Sequence, residues 1–96
     1  MYVLVAYDVN TLTAKGRRRL RKVAKACEGK GQRVQYSVFE CSVNETDFAR
    51  LRIELLDIVD PEEDSLRFYF LRGPREEVVE AHGRDSYLDY HGPLIA

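Results

Sequence analysis

The chain has no tryptophan, a single methionine, two cysteines and three prolines in 96 residues. Cys27 and Cys41 are too few for a disulfide framework, and their spacing fits neither a redox pair nor a zinc-ligand pair. Both fall on apolar positions of predicted elements and read as reduced core residues, which suits a cytoplasmic protein. No apolar run approaches the roughly 20 residues of a membrane-crossing helix. No positively charged segment precedes the first apolar run, so neither a membrane span nor a signal peptide is expected. Histidine is scarce too. His82 and His91 lie far along the chain and read as surface residues, which leaves no convincing general base. No glycine-rich loop suggests a nucleotide or other small ligand.

What is present describes one soluble domain with a real core, 45% hydrophobic and 32% charged. Seven apolar or aromatic residues run from Tyr2, interrupted by one carboxylate at Asp8. A run this short, partly β-branched and closed by Asn10-Thr11-Leu12-Thr13, predicts a strand buried on both faces. An ionised Asp at the end of a buried strand is costly without a partner. Two readings stand: Asp8 caps the following turn or pairs with Arg17, or it is a metal-binding carboxylate where the sheet meets a basic helix.

Net charge is −1, but its distribution is uneven. Residues 1–44 carry nine Lys/Arg against three Asp/Glu, and residues 45–96 carry six against thirteen. Such asymmetry in a small domain points to one side facing a polyanion. Thr13 predicts the cap of a helix over 14–28, with Leu20, Val23, Ala24 and Cys27 on one apolar stripe. Arg18, Lys22 and Lys25 lie opposite the stripe, and Arg17 lies near its edge. Acidic partners at i,i+4 are missing, so this face reads as a phosphate-contacting surface rather than a solvated, self-neutralised one.

Gln32 to Val43 alternates and predicts one strand, with Val34, Tyr36 and Val38 on one face and Gln35, Ser37, Phe39 and Cys41 on the other. Asn44 with Asp47 opens a second helix whose buried side is Phe48, Leu51, Leu55, Leu56 and Val59, ended by Asp60-Pro61. Ser65 to Leu71 predicts another strand, and after Gly73-Pro74 a short strand is expected over Glu77–Ala81. The order reads as a ferredoxin-like βαββαβ domain of the α+β class over 1–83, an antiparallel sheet with two helices on one face. Residues 84–96, with Tyr87 and Tyr90, are expected to add a strand, to this sheet or to a partner's. The sheet's uncovered face calls for a second copy of the chain.

Tyr7-Asp8, the Arg17-Arg18-Arg19 segment and Gln35-Tyr36-Ser37-Val38-Phe39-Glu40, with Leu66-Arg67-Phe68-Tyr69, together resemble the CRISPR-associated Cas-two family over essentially the whole chain. Members are the small subunit of the spacer-acquisition complex. The resemblance implies a homodimer acting beside an integrase subunit, with a divalent metal between two copies of Asp8. It also implies metal-dependent endonuclease activity on RNA or DNA in some members and a scaffold role in others.

Mg²⁺ or Mn²⁺ prefers a shell of oxygens, and one carboxylate per chain becomes two through a dyad. On this reading Asp8 is the catalytic and metal-binding residue, and Arg17, Arg18, Arg21, Tyr7 and Ser37 form the nucleic-acid-binding set. The alternative is a non-catalytic, DNA-binding bridge between integrase subunits. A third reading, an RNA-recognition module, lacks the aromatic-rich sheet signature of that class.

Overall fold

The computed structural model describes residues 1–84. β1 (Tyr2–Asp8) is the central organiser, flanked on both sides by antiparallel partners. α1 (Ala14–Glu28) follows, then β2 (Gly31–Gln35), β3 (Val38–Ser42), α2 (Glu45–Ile58), β4 (Ser65–Leu71) and a single helical turn, α3 (Arg75–Val78). The four strands form one sheet in the order β2-β3-β1-β4. The element order through β4 is βαββαβ, the ferredoxin-like arrangement.

Register fixes which residues share a face. Val3 faces Cys41 and Phe70, Val5 faces Phe39 and Phe68, and Tyr7 faces Leu66. All of these but Phe70, which stays exposed, meet Val23 and Cys27 of α1 and Phe48, Leu51 and Leu55 of α2 in one continuous core. Phe48 sets its ring edge-on against Phe68 and Phe70, 5.3 Å from each. Leu4, Ala6 and Asp8 therefore point to the other face. The helices start where the sequence places them: the Thr13 hydroxyl accepts from the Gly16 amide (3.1 Å) and the Asn44 side chain from the Asp47 amide (2.7 Å). Leu56, expected inside, is exposed on the outer side of α2.

Two expected strands are corrected. Gln32–Val43 is not one strand but the hairpin β2–β3, turning at Tyr36-Ser37. Gly31 and Arg33 pair with Cys41 and Phe39 and share the helix side with them, until the ladder slips and Gln35 pairs with Val38. A two-residue turn alone would reverse the parity, but the one-residue slip between Arg33 and Gln35 restores it, which is why alternation alone reads as one long strand. Residues 77–81 hold no strand either. Pro74 caps the turn of α3, with Glu76 and Glu77 in its first turn, and extended chain follows.

The segment from Gly73 to Arg84 lies on the face that α1 and α2 leave open. Arg75 anchors it there through a buried ion pair with Glu40, Nε to Oε1 2.6 Å, on a carboxylate only 4% exposed. Val79, Ala81 and Arg84 line a cavity of about 300 Å³ together with Leu4, Val38 and Glu40. Part of the open face is thus covered from within the chain. The strand expected from the C-terminal segment falls on residues 85–96, outside those described. Among the described residues no helix is long and apolar enough to cross a membrane.

Candidate metal carboxylate and basic helix

Asp8 ends β1 on the face opposite the helices, opposite Ser65, with Ala6 beside Arg67 and Leu4 beside Tyr69. It is exposed, and among the described residues its carboxylate makes no hydrogen bond or ion pair. The burial cost attached to it in the sequence therefore does not arise. Nor does it cap the turn or pair with Arg17. Asn10 does the capping, its Oδ1 accepting from the Leu12 amide (3.0 Å), while the Arg17 guanidinium donates to the Thr11 carbonyl (3.2 Å). Arg67 turns toward Tyr69, donating to its hydroxyl (3.1 Å). What remains is an uncommitted carboxylate on a rigid strand.

Tyr7 and Ser37 meet here by backbone: the Tyr7 amide donates to the Ser37 carbonyl (3.1 Å), extending the β1–β3 ladder into the hairpin turn. The Tyr7 ring is core, 5% exposed and stacked 6.2 Å from Phe39. Its hydroxyl is buried, and burial raises its pKa, against a lowering influence from the Arg33 guanidinium. Tyr7 thus supports the strand end from the helix side, and Asp8 alone of the pair faces solvent.

Arg17, Arg18 and Arg21 are all exposed on α1. Arg18, Arg21, Lys22 and Lys25 have no acidic partner within ion-pair distance among the described residues, so the positive face is not neutralised internally. Because α1 packs on the side of Val5 and Tyr7, its stripe and the Asp8 carboxylate belong to opposite faces of the sheet. The first turn of α1 nevertheless stays close to the strand end. The loop 9–12 folds back so tightly that a Cβ on Gly16 would overlap the Asn10 carbonyl.

Arg19 departs from its neighbours. It forms a two-point ion pair with Asp64, whose side chain is fully buried (Nε–Oδ2 2.8 Å, Nη2–Oδ1 3.2 Å). The same carboxylate accepts from the Asn10 amide (3.0 Å) and the Asp60 amide (2.8 Å). Asn10 Nδ2 also donates to Glu63 (2.7 Å). One acid therefore ties α1, the loop after Asp8 and the loop before β4 together. Sequence reasoning missed this brace, although Arg19 sits between Gly16 and Val23 at helical spacing, on the buried flank of the wheel.

Among the described residues no three His, Cys, Asp or Glu side chains gather as a metal site. Asp8 fits one half of a divalent-cation site: a hard oxygen donor, solvent-accessible, without a competing cation.

The model of the family described as "CRISPR associated protein Cas2" matches residues 1–77. The chain belongs to the Cas2 family. That match takes in every strand of the sheet and both long helices, so the Cas2 likeness includes Asp8, the arginines of α1 and the hairpin. A curated relative from Moorella thermoacetica, named CRISPR-associated endoribonuclease Cas2 1, is 50% identical over 95 residues, 99% of each chain. One from Chlorobaculum tepidum, named CRISPR-associated endoribonuclease Cas2, is 54% identical over 95 residues, again 99% of each. The crystal structure of Streptococcus pyogenes Cas2 at pH 6.5 superposes with a TM-score of 0.77 at 53% identity, covering 86% of this chain and all of that one.

Proposed function

We propose that this chain is a CRISPR-associated endonuclease that hydrolyses phosphodiesters as a metal-dependent homodimer in the cytoplasm during spacer acquisition, beside an integrase subunit. The observation that carries the reading is Asp8: a solvent-facing carboxylate without a side-chain partner among the described residues, at the end of the central strand, on the face left open by the helices. A two-fold axis through that face would bring two such acids together and provide the second oxygen donor that Mg²⁺ or Mn²⁺ needs. When bound, the cation supplies Lewis-acid polarisation of a phosphoryl oxygen and lowers the pKa of a water.

The chain's own residues bind and orient. Arg18 and Arg21 hold backbone phosphates by charge, and Arg17 does so while bracing the Thr11 carbonyl. Tyr7 and Ser37 fix the strand end to the hairpin turn, so that Asp8 is presented without backbone play. The names of the Moorella and Chlorobaculum relatives specify ribonuclease activity, which favours RNA over DNA as the substrate to test first. Asp8→Asn is expected to abolish cleavage of an RNA oligonucleotide with Mg²⁺ while dimerisation and nucleic-acid binding persist. Cleavage at the wild-type rate by that variant would reject the catalytic role.

One observation favours a second reading. The cations of α1 that have no acidic partner among the described residues lie on the opposite side of the sheet from Asp8, so they can hold a duplex backbone without the carboxylate. A non-catalytic scaffold bridging integrase subunits needs only that helix and the dimer.

A further inference from the structure

Tyr36 occupies the tip of the β2–β3 hairpin and is 93% exposed. Two-residue hairpin turns ordinarily take Asn or Gly, which tolerate positive φ. Here neither Tyr36 nor Ser37 has positive φ, and the ladder instead slips between Arg33 and Gln35. An irregularity of that kind re-aims the side chains beside it. The aromatic ring at the tip therefore serves neither turn chemistry nor the core.

Below the ring is a cleft of about 240 Å³ lined by Arg33, Val34, Gln35 and Tyr36. Its floor is held in place: the Arg33 guanidinium sits 5.2 Å from the Phe39 ring centroid and 3.4 Å from the Glu28 carboxylate. On the other side of the hairpin Gln35 shares a second cavity with His82 and Arg84. The tip also belongs to the active end of the sheet, since the Ser37 carbonyl bonds the Tyr7 amide, one residue before Asp8.

We propose that Tyr36 is a stacking platform for an unstacked nucleobase of the bound nucleic acid, with Gln35 reading the base edge and Arg33 and Arg84 flanking it. The inference rests on the nuclease reading and adds a base-binding subsite to it. An aromatic face accepts every base, because every base has a π-face, while the Gln35 amide offers both a donor and an acceptor. A ring on a narrow hairpin tip reaches a base that is already unpaired or splayed out of its stack. It has no access to one inside a continuous duplex.

The test measures binding in the presence of a chelator, so that it does not depend on cleavage. The probes are a single-stranded oligonucleotide carrying one 2-aminopurine and a blunt duplex of the same length. Wild type and Tyr36→Phe are expected to quench the 2-aminopurine and bind the single strand with similar Kd. Tyr36→Ala is expected to lose the quenching and to bind the single strand about 5- to 150-fold more weakly, the range that removal of one stacked aromatic gives. Its duplex affinity should be close to that of wild type. Equal single-strand affinity and quenching in Tyr36→Ala would overturn the inference. So would dissociation of the Tyr36→Ala dimer at concentrations where wild type stays associated, since the ring would then be a contact between copies. Wild-type cleavage by Asp8→Asn would remove the catalytic carboxylate and leave this binding result standing, so the two failures are separable.

Discussion

Arg19 closes one edge of its guanidinium, Nε and Nη2, on the two oxygens of Asp64, and Asp64 in turn accepts the backbone amides of Asn10 and Asp60. The pair ties residues 60–64 to two segments distant from them in sequence, α1 and the loop following Asp8. Its geometry is two-pointed, its acid is fully buried and its base 19% exposed. Loss of the acid strands a guanidinium and two amide donors at once. Asp64→Ala is therefore expected to destabilise the fold by about 3 kcal/mol, the low end for breaking a buried pair because Arg19 keeps some access to water. Urea unfolding measures this, and a midpoint unchanged from wild type would contradict the brace.

The same pair sets an acid limb. The hydrogen bond from Arg19, then the amides of Asp60 and Asn10, hold the Asp64 carboxyl below its ordinary value, outweighing the opposing effect of burial. A carboxylate depressed in the folded state contributes stability that is complete above its unfolded pKa, about 3.9. That contribution is lost as pH falls through the lower, folded value. Stability should thus be flat with respect to this group from neutral pH down to about 5 and should fall below about 4. Asp64→Asn should show a shallower acid limb than wild type when urea midpoints are compared across that range.

The brace and the hairpin mark where the sequence was legible and where it was not. β1, α1 and the start of α2 follow from a short apolar run, an i,i+3,i+4 stripe and an Asn cap. All of these are local signals, and the structure holds them with little change. The hairpin was hidden because the slip between Arg33 and Gln35 restores the parity that a two-residue turn reverses, and the turn carries neither Gly nor Asn. Asp64 was hidden inside Glu62-Glu63-Asp64, which reads as a solvated acidic loop until the loop is laid against Arg19. Charge in a sequence gives sign without direction. Arg19 stands in the same basic run as Arg17 and Arg18, and only the tertiary path of residues 60–64 separates it from them. Asp8 was legible as a carboxylate at a strand end, while its exposure on the open face required the register with β4.

The two thiols allow an independent check of the core. Burial pushes Cys27 up to about 12 and Cys41 up to about 11. Only the thiolate reacts with disulfide reagents, and burial also denies access. At pH 8 the native protein is expected to react with Ellman's reagent no faster than it unfolds, and both thiols should titrate promptly in denaturant. A fast native phase of one thiol per chain would show that α1 lifts from the sheet.

The last prediction separates the positive helix from the carboxylate. Arg18 and Arg21 are exposed, and among the described residues neither has an acidic partner. Removing either charge should leave folding nearly untouched, because no packing or ion pair is lost. Each phosphate neutralised by the protein contributes about −0.9 to the slope of log K against log salt on duplex DNA, and about −0.7 on a single strand. Arg18→Ala with Arg21→Ala should therefore flatten the duplex slope by about 1.8 and weaken binding most at low salt. Asp8→Asn, which removes a negative charge from the other face, should leave the slope near its wild-type value. An unchanged slope in the double arginine variant would mean that α1 does not carry the phosphate backbone. A change of equal size in Asp8→Asn would mean that both faces contact it.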